Sequence, residues 1–290
     1  MKKTALLLAL LLVAASFAGC GSTAPQNQVA ATTPPVYYFA DAITKDSGIS
    51  VTSLITEPVS CLHDYTLNIE QVKTAESAEV ILISGAGLED FMGDILSPEK
   101  CIDASEGIAL LEAKPHAHDE HAHDHSVDPH IWLSPENAKI MARNICDGLS
   151  QRYPDSKDTF EGNLSSLLAD LDALQAYGDE ALKDLSTREI ITFHDGFSYL
   201  AQAFDLTILR SIEEEHGSEA SAKDLSDLIA LVNEHHLPAI FTEKNGSDAA
   251  ASVIARETGA KTYQLTTAMG DPDYIAAMRQ NIDTLKEALQ

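Results

Sequence analysis

Residues 189–204 read EIITFHDGFSYLAQAF. The first five residues, Glu189-Ile190-Ile191-Thr192-Phe193, are rich in β-branched and aromatic side chains, the composition of a strand. From Gly196 to Phe204 the pattern turns helical, and His194 stands at the junction. A strand passing directly into a helix is half of a βαβ unit, the building block of a parallel sheet covered by helices. The same rhythm continues to the C-terminus. A strand is expected over 206–211, a helix over 221–235 and a strand over 239–242 closed by Glu243. A helix over 247–259, a strand over 261–265 and a last helix over 273–289 follow.

On the N-terminal side, apolar residues recur at helical spacing from 158 to 185: Phe160, Leu164, Leu167, Leu171, Leu174, Leu182 and Leu185. Some 28 helical residues would reach roughly 42 Å, enough to join two lobes. Before it, Ser134 and Pro135 open a helix over 134–153 as cap and first-turn proline. Further upstream, strands are expected at 36–40, 50–55, 79–84 and 100–103, with helices at 66–75 and 88–96. The fold class is therefore α/β. Two Rossmann-like lobes of mostly parallel sheet, over 36–153 and 188–290, are joined by one long linking helix within 154–187.

The first 20 residues have a different character. Lys2 and Lys3 precede an apolar run over 5–15, and Ser16-Phe17-Ala18-Gly19-Cys20 closes it. A run this short is a secretory signal, not a membrane span. Its small-small-Cys ending resembles a bacterial lipoprotein signal, which implies that Cys20 becomes a lipid-bearing N-terminus. Residues 21–35 are small, polar and Pro-bearing and read as a flexible tether. The expected place of the mature chain is the outer face of the cytoplasmic membrane, held by its lipid anchor.

The chain carries 19 Lys and Arg against 45 Asp and Glu, a net charge of −26. Such a surface repels nucleic acid and excludes it as a partner. A monomer is expected. Besides Cys20 there are Cys61, Cys101 and Cys146. Three thiols cannot all pair within one chain. Cys61 with Cys101 in a disulfide, or three free thiols, are the open alternatives.

Residues 115–130 hold six of the eleven histidines: His116, His118, His121, His123, His125 and His130, interleaved with acids. Imidazole is the commonest side-chain ligand of zinc, and short His-rich tracts point to metal contact. Ligands of open α/β sheets bind beyond the carboxyl ends of the strands. His63 and His194 fall at such ends, and His130 lies just before a capped helix. Each has an acid within two residues: Asp64, Asp195 and Asp128. A carboxylate so placed can take the second N–H of a metal-bound imidazole. Each histidine alone reads as structural or surface; together they read as one metal site.

Five stretches spread over the mature chain carry a resemblance: CLHDYTL (61–67), ISGAGLEDF (83–91), DPHIWLSPENA (128–138), TFHDGFSYLAQAFDL (192–206) and GDPDYIAAMRQNIDTLKEAL (270–289). They are similar to the zinc and manganese solute-binding lipoproteins of ABC-type metal importers, a family that includes adhesin-type metal-binding lipoproteins. The resemblance implies a rigid linking helix and a metal cleft between the lobes. It implies ligands at His63 and His130 from the first lobe and His194 from the second. It also implies an ABC-type permease as partner and no enzymatic activity. A histidine at 194, where manganese-type members tend to have a carboxylate, and the acidic, His-rich loop over 115–126 favour Zn2+ over Mn2+. The family's acidic fourth ligand has no counterpart in Leu265-Thr266-Thr267-Ala268-Met269-Gly270. Water, Glu243, Asp271 or an imidazole of the tract remain open for that position. A secreted zinc hydrolase and a surface adhesin are the rival readings. The hydrolase is weakened by the absence of His-Glu-x-x-His and Gly-x-Ser-x-Gly.

Overall fold

The structure is a computed structural model and describes residues 29–57, 62, 65–112, 127–212, 221–244, 246 and 248–290. His63, the five histidines from His116 to His125, Cys61, Cys20 with its signal, and the tether up to residue 28 lie outside the described residues.

Three small or β-branched residues form β1 (Val29–Ala31), and all three are fully buried. Their size suits a central strand, which is covered on both faces. β1 pairs in parallel with β2 (Val51–Ser53) on one side and β3 (Val80–Ile83) on the other. β4 (Cys101–Asp103) extends the sheet beyond β3, so the order is β2-β1-β3-β4. Two expectations change here. The stretch over 36–40 is not a strand but the middle of α1 (Pro34–Thr44). Thr33 caps this helix, two prolines occupy its first turn, and Val36, Phe39, Ala40 and Ile43 form its buried stripe. The tether expected over 21–35 also ends earlier, because residues 29–35 hold the central strand and the start of α1.

Asn68 and Gln71 form a reciprocal capping box that starts α2 (Ile69–Ser77). The helix expected over 88–96 is a 3-10 segment, Leu88–Ile95, interrupted by Gly93 at φ 49° and ψ −129°. α3 (Pro135–Arg152) begins at the Ser134 cap. The linking helix α4 (Lys157–Ala181) is shorter than its apolar periodicity suggests, because the chain turns irregular near Leu182. Cys101 and Cys146 are free thiols.

The second lobe contains β5 (Glu189–Thr192), α5 (Ser198–Ala203), β6 (Thr207–Ser211), α6 (Ala222–Glu234) and β7 (Ala239–Glu243). It ends with α7 (Ala249–Thr258), β8 (Lys261–Leu265) and α8 (Tyr274–Leu289). Its sheet is also parallel, in the order β6-β5-β7-β8. Both lobes thus place their second strand outside the first and their third on the other side. The point where the winding reverses, between β1 and β3 or between β5 and β7, opens a crevice at the carboxyl ends of the strands.

α4 packs on α1 and α3 of the first lobe and on α8 of the second. One apolar core runs without a break from Val29, Phe39 and Leu82 through Leu167 and Leu171 of α4 to Phe241 and Met278. Smaller clusters cover the outer faces, around Ile81 and Leu54 in the first lobe and around Ile240 and Ile254 in the second.

Candidate metal centre

The turn Asp128-Pro129-His130 builds the first side of the centre. Asp128 Oδ1 accepts from His130 N at 2.9 Å, a side-chain-closed turn of the kind Asp favours. The same oxygen lies 2.9 Å from His130 Nδ1. One carboxylate oxygen therefore sets the ring's rotation and turns Nε2 away from Asp128. His130 is 4% exposed and Asp128 6%. Burial pulls the His130 imidazole pKa down, but the hydrogen bond and charge of Asp128 outweigh it and hold the pKa above its ordinary value. Burial raises the Asp128 carboxyl, and His130 overcomes this to hold it below its ordinary range. Immediately beyond, Ile131–Leu133 make a buried 3-10 turn that leads into the Ser134 cap of α3.

His194 supplies the opposite side. It continues β5 in extended conformation, with φ −144° and ψ 140°, and is also 4% exposed. His194 Nε2 lies 3.2 Å from His130 Nε2, and the rings meet edge to face at 88°. Gly196 is required for this approach, since a Cβ there would stand 2.7 Å from both Nε2 atoms. Behind His194, Glu243 at the end of β7 places Oε2 at 3.9 Å from Nδ1. Thr267 Oγ1 donates to Glu243 Oε1 at 3.1 Å. His194 and Glu243 end the two strands that flank the second lobe's crevice.

The structure thus brings His130, His194 and Glu243 together. Asp271 is engaged elsewhere. Its Oδ1 pairs with Lys244 Nζ at 2.6 Å and its Oδ2 accepts from Thr266 Oγ1 at 2.6 Å. Burial raises the Asp271 pKa, but these two partners outweigh it and lower the value. Among the described residues, no group of three or more His, Cys, Asp and Glu side chains is arranged to hold one metal ion.

Several residues tie the two sides together and were not singled out by sequence reasoning. Trp132 Nε1 donates to Thr267 O at 2.7 Å, and Tyr274 Oη donates back to Trp132 O at 2.5 Å. Tyr199 Oη lies between Leu111 N, at 2.9 Å, and Asp128 O, at 3.1 Å. The available signal was aromatic side chains with a polar tip inside otherwise apolar stretches, which must find a partner when buried. Thr267 gave no such signal.

Two parallel α/β lobes on one long helix, with a buried imidazole from each facing the other where the lobes meet, define a two-lobed α/β protein whose candidate site lies at the lobe junction. Within that class the chain belongs to the ZnuA family: the family model described as zinc-uptake complex component A, periplasmic, matches residues 29–288. The zinc-binding lipoprotein AdcA of Streptococcus pneumoniae is 31% identical over 99% of this chain and 61% of its own length. The chain therefore spans about three-fifths of the length of that relative. The high-affinity zinc uptake system protein ZnuA of Bacillus subtilis is 31% identical over 97% of both chains. Among solved structures, a zinc-bound ZnuA deletion mutant superposes with a TM-score of 0.76 at 28% identity, covering 90% of this chain and 97% of that one.

Proposed function

We propose that the chain is an extracytoplasmic receptor that captures Zn2+ between its lobes and yields it to an ABC-type permease, without chemistry on its cargo. His130, His194 and His63 are the proposed ligands. The observation that carries the reading is the frame around two nitrogens. Asp128 calls for a proton on His130 Nδ1, and Glu243 favours one on His194 Nδ1. With both rings protonated on Nδ1 only, the two Nε2 atoms would present lone pairs 3.2 Å apart, a spacing that one shared cation fits. Two nitrogens bound to one tetrahedral zinc at its usual bond length stand about 3.3 Å apart.

Glu243 faces Nδ1 rather than Nε2 of His194. Its proposed role is therefore the one Asp128 has for His130, orienting an imidazole from behind. With Asp271 held by Lys244 and Thr266, the fourth position falls to water or to an imidazole of the tract. The tract over 115–126 is proposed to gather zinc at weaker sites, and Cys20 to carry the lipid that keeps the receptor at the outer membrane face. The near-complete burial of both imidazoles favours a bare ion over a hydrolase's larger substrate, and no observation favours the adhesin.

Competitive zinc titration of the lipid-free chain tests the assignment. His63→Ala, His130→Ala and His194→Ala should each weaken the tight site at least a hundred-fold. Deletion of 115–126 should remove weak binding and leave the tight site. Tight zinc that survives all three substitutions would overturn the reading.

A further inference from the structure

Tyr199 lies in the second lobe, yet its hydroxyl belongs to the first lobe's hydrogen-bond ladder. Glu112 and Val127 form an isolated antiparallel bridge at the base of the segment that contains the histidine tract. Next to it, Asp128 N donates to Leu111 O at 2.9 Å. In a plain ladder of this register, Leu111 N would donate straight back to Asp128 O. Here Leu111 N donates to Tyr199 Oη, and Tyr199 Oη donates on to Asp128 O. The phenol is wedged into the rung as its middle member. Tyr199 is fully buried, so each of these groups depends on the others for a partner.

Tyr199 is five residues beyond His194, across the Asp195–Phe197 turn and on the first turn of α5. His194 and Tyr199 therefore reach over the cleft from one short segment. His194 meets the His130 ring, and Tyr199 holds the backbone of Asp128, whose carboxylate holds that same ring. We propose that Tyr199 is a positioning residue of the metal site, setting the place of Asp128 and so the spacing of His130 from His194. This inference rests on the zinc-site reading above. It makes the base of the histidine tract and the metal centre a single hydrogen-bonded unit.

The test is a double-mutant cycle on the lipid-free chain, with zinc affinity read by competition and Co2+ absorption as a second readout of ligand geometry. Tyr199→Phe keeps the ring and removes one oxygen. It should weaken zinc roughly ten-fold at unchanged stoichiometry and shift the Co2+ bands. Asp128→Asn should weaken zinc as well. The double variant should lie within about three-fold of Asp128→Asn alone, because Tyr199 acts through Asp128. Tyr199→Phe within two-fold of the parent, or losses that multiply, would overturn the inference. If Tyr199→Phe fails to fold, trifluorotyrosine at 199 keeps the shape and changes the hydroxyl's donor strength; an unaltered affinity then overturns it equally. His130→Ala separates the two ideas. Tight zinc retained in that variant sinks the site reading itself, whereas tight zinc lost there but untouched by Tyr199→Phe sinks only the role of Tyr199.

Discussion

Glu89 is a carboxyl outside the candidate metal centre. It sits 3% exposed at the crevice of the first lobe and accepts from Thr32 Oγ1 at 2.6 Å, Ser84 N at 2.7 Å and Gly85 N at 3.0 Å. Thr32 follows β1 and Ser84 follows β3, so Glu89 fills the first lobe's winding reversal, while the equivalent place in the second lobe holds His194 and Glu243. Burial pushes its pKa up to about 7, although the three donors pull the other way. A carboxyl raised in the folded state keeps its proton there while the unfolded chain has already released it. The native state is therefore favoured below the ordinary carboxylate range and loses that advantage as pH rises toward about 7. In the metal-free protein, Glu89→Gln should lower Tm at acid pH through a mismatched amide. The gap to the parent should then narrow by about 5–10 °C between pH 4.5 and 7 and stay level above. A gap independent of pH would show that Glu89 is ionised throughout.

At the scale of elements, most of the βα alternation could be read from periodicity, and β8 lies over the expected residues 261–265. The exception is the N-terminal edge. Val36-Tyr37-Tyr38-Phe39-Ala40 has the β-branched and aromatic content of a strand, yet its apolar residues also fit a helical stripe at 36, 39, 40 and 43. Over five residues the two periods are hard to separate. The arbiter was the Thr33-Pro34-Pro35 start signal. β1 escaped notice because Val29-Ala30-Ala31 is too short and too small to stand out from a polar, Pro-bearing stretch, and only its pairing on both sides makes it a strand. At the centre, His130 and His194 were legible because each sits at an abrupt change of pattern. The tie of Glu243 to Thr267 was not, since it joins the ends of β7 and β8, two adjacent strands whose register no sequence period encodes.

The two lobes are welded rather than hinged. The core is continuous through α4, and the reciprocal Trp132–Thr267 and Tyr274–Trp132 hydrogen bonds cross the cleft floor beside the histidines. Tyr274 also packs edge to face on Phe39 of the first lobe, with ring centroids 4.9 Å apart. Removing zinc with a chelator should therefore change the radius of gyration in solution scattering by no more than about 1 Å. An expansion of several ångströms would show that the lobes swing apart. The unbroken core has another consequence. Each half shares its largest apolar interior with the other through α4, so the chain should melt as a single cooperative unit. On the proposed zinc reading, an ion held by one imidazole from each half would stabilise the whole cooperative unit at once. On that reading the metal-free chain is accordingly the form most open to proteolysis, and metal binding and lifetime become linked through the same few side chains.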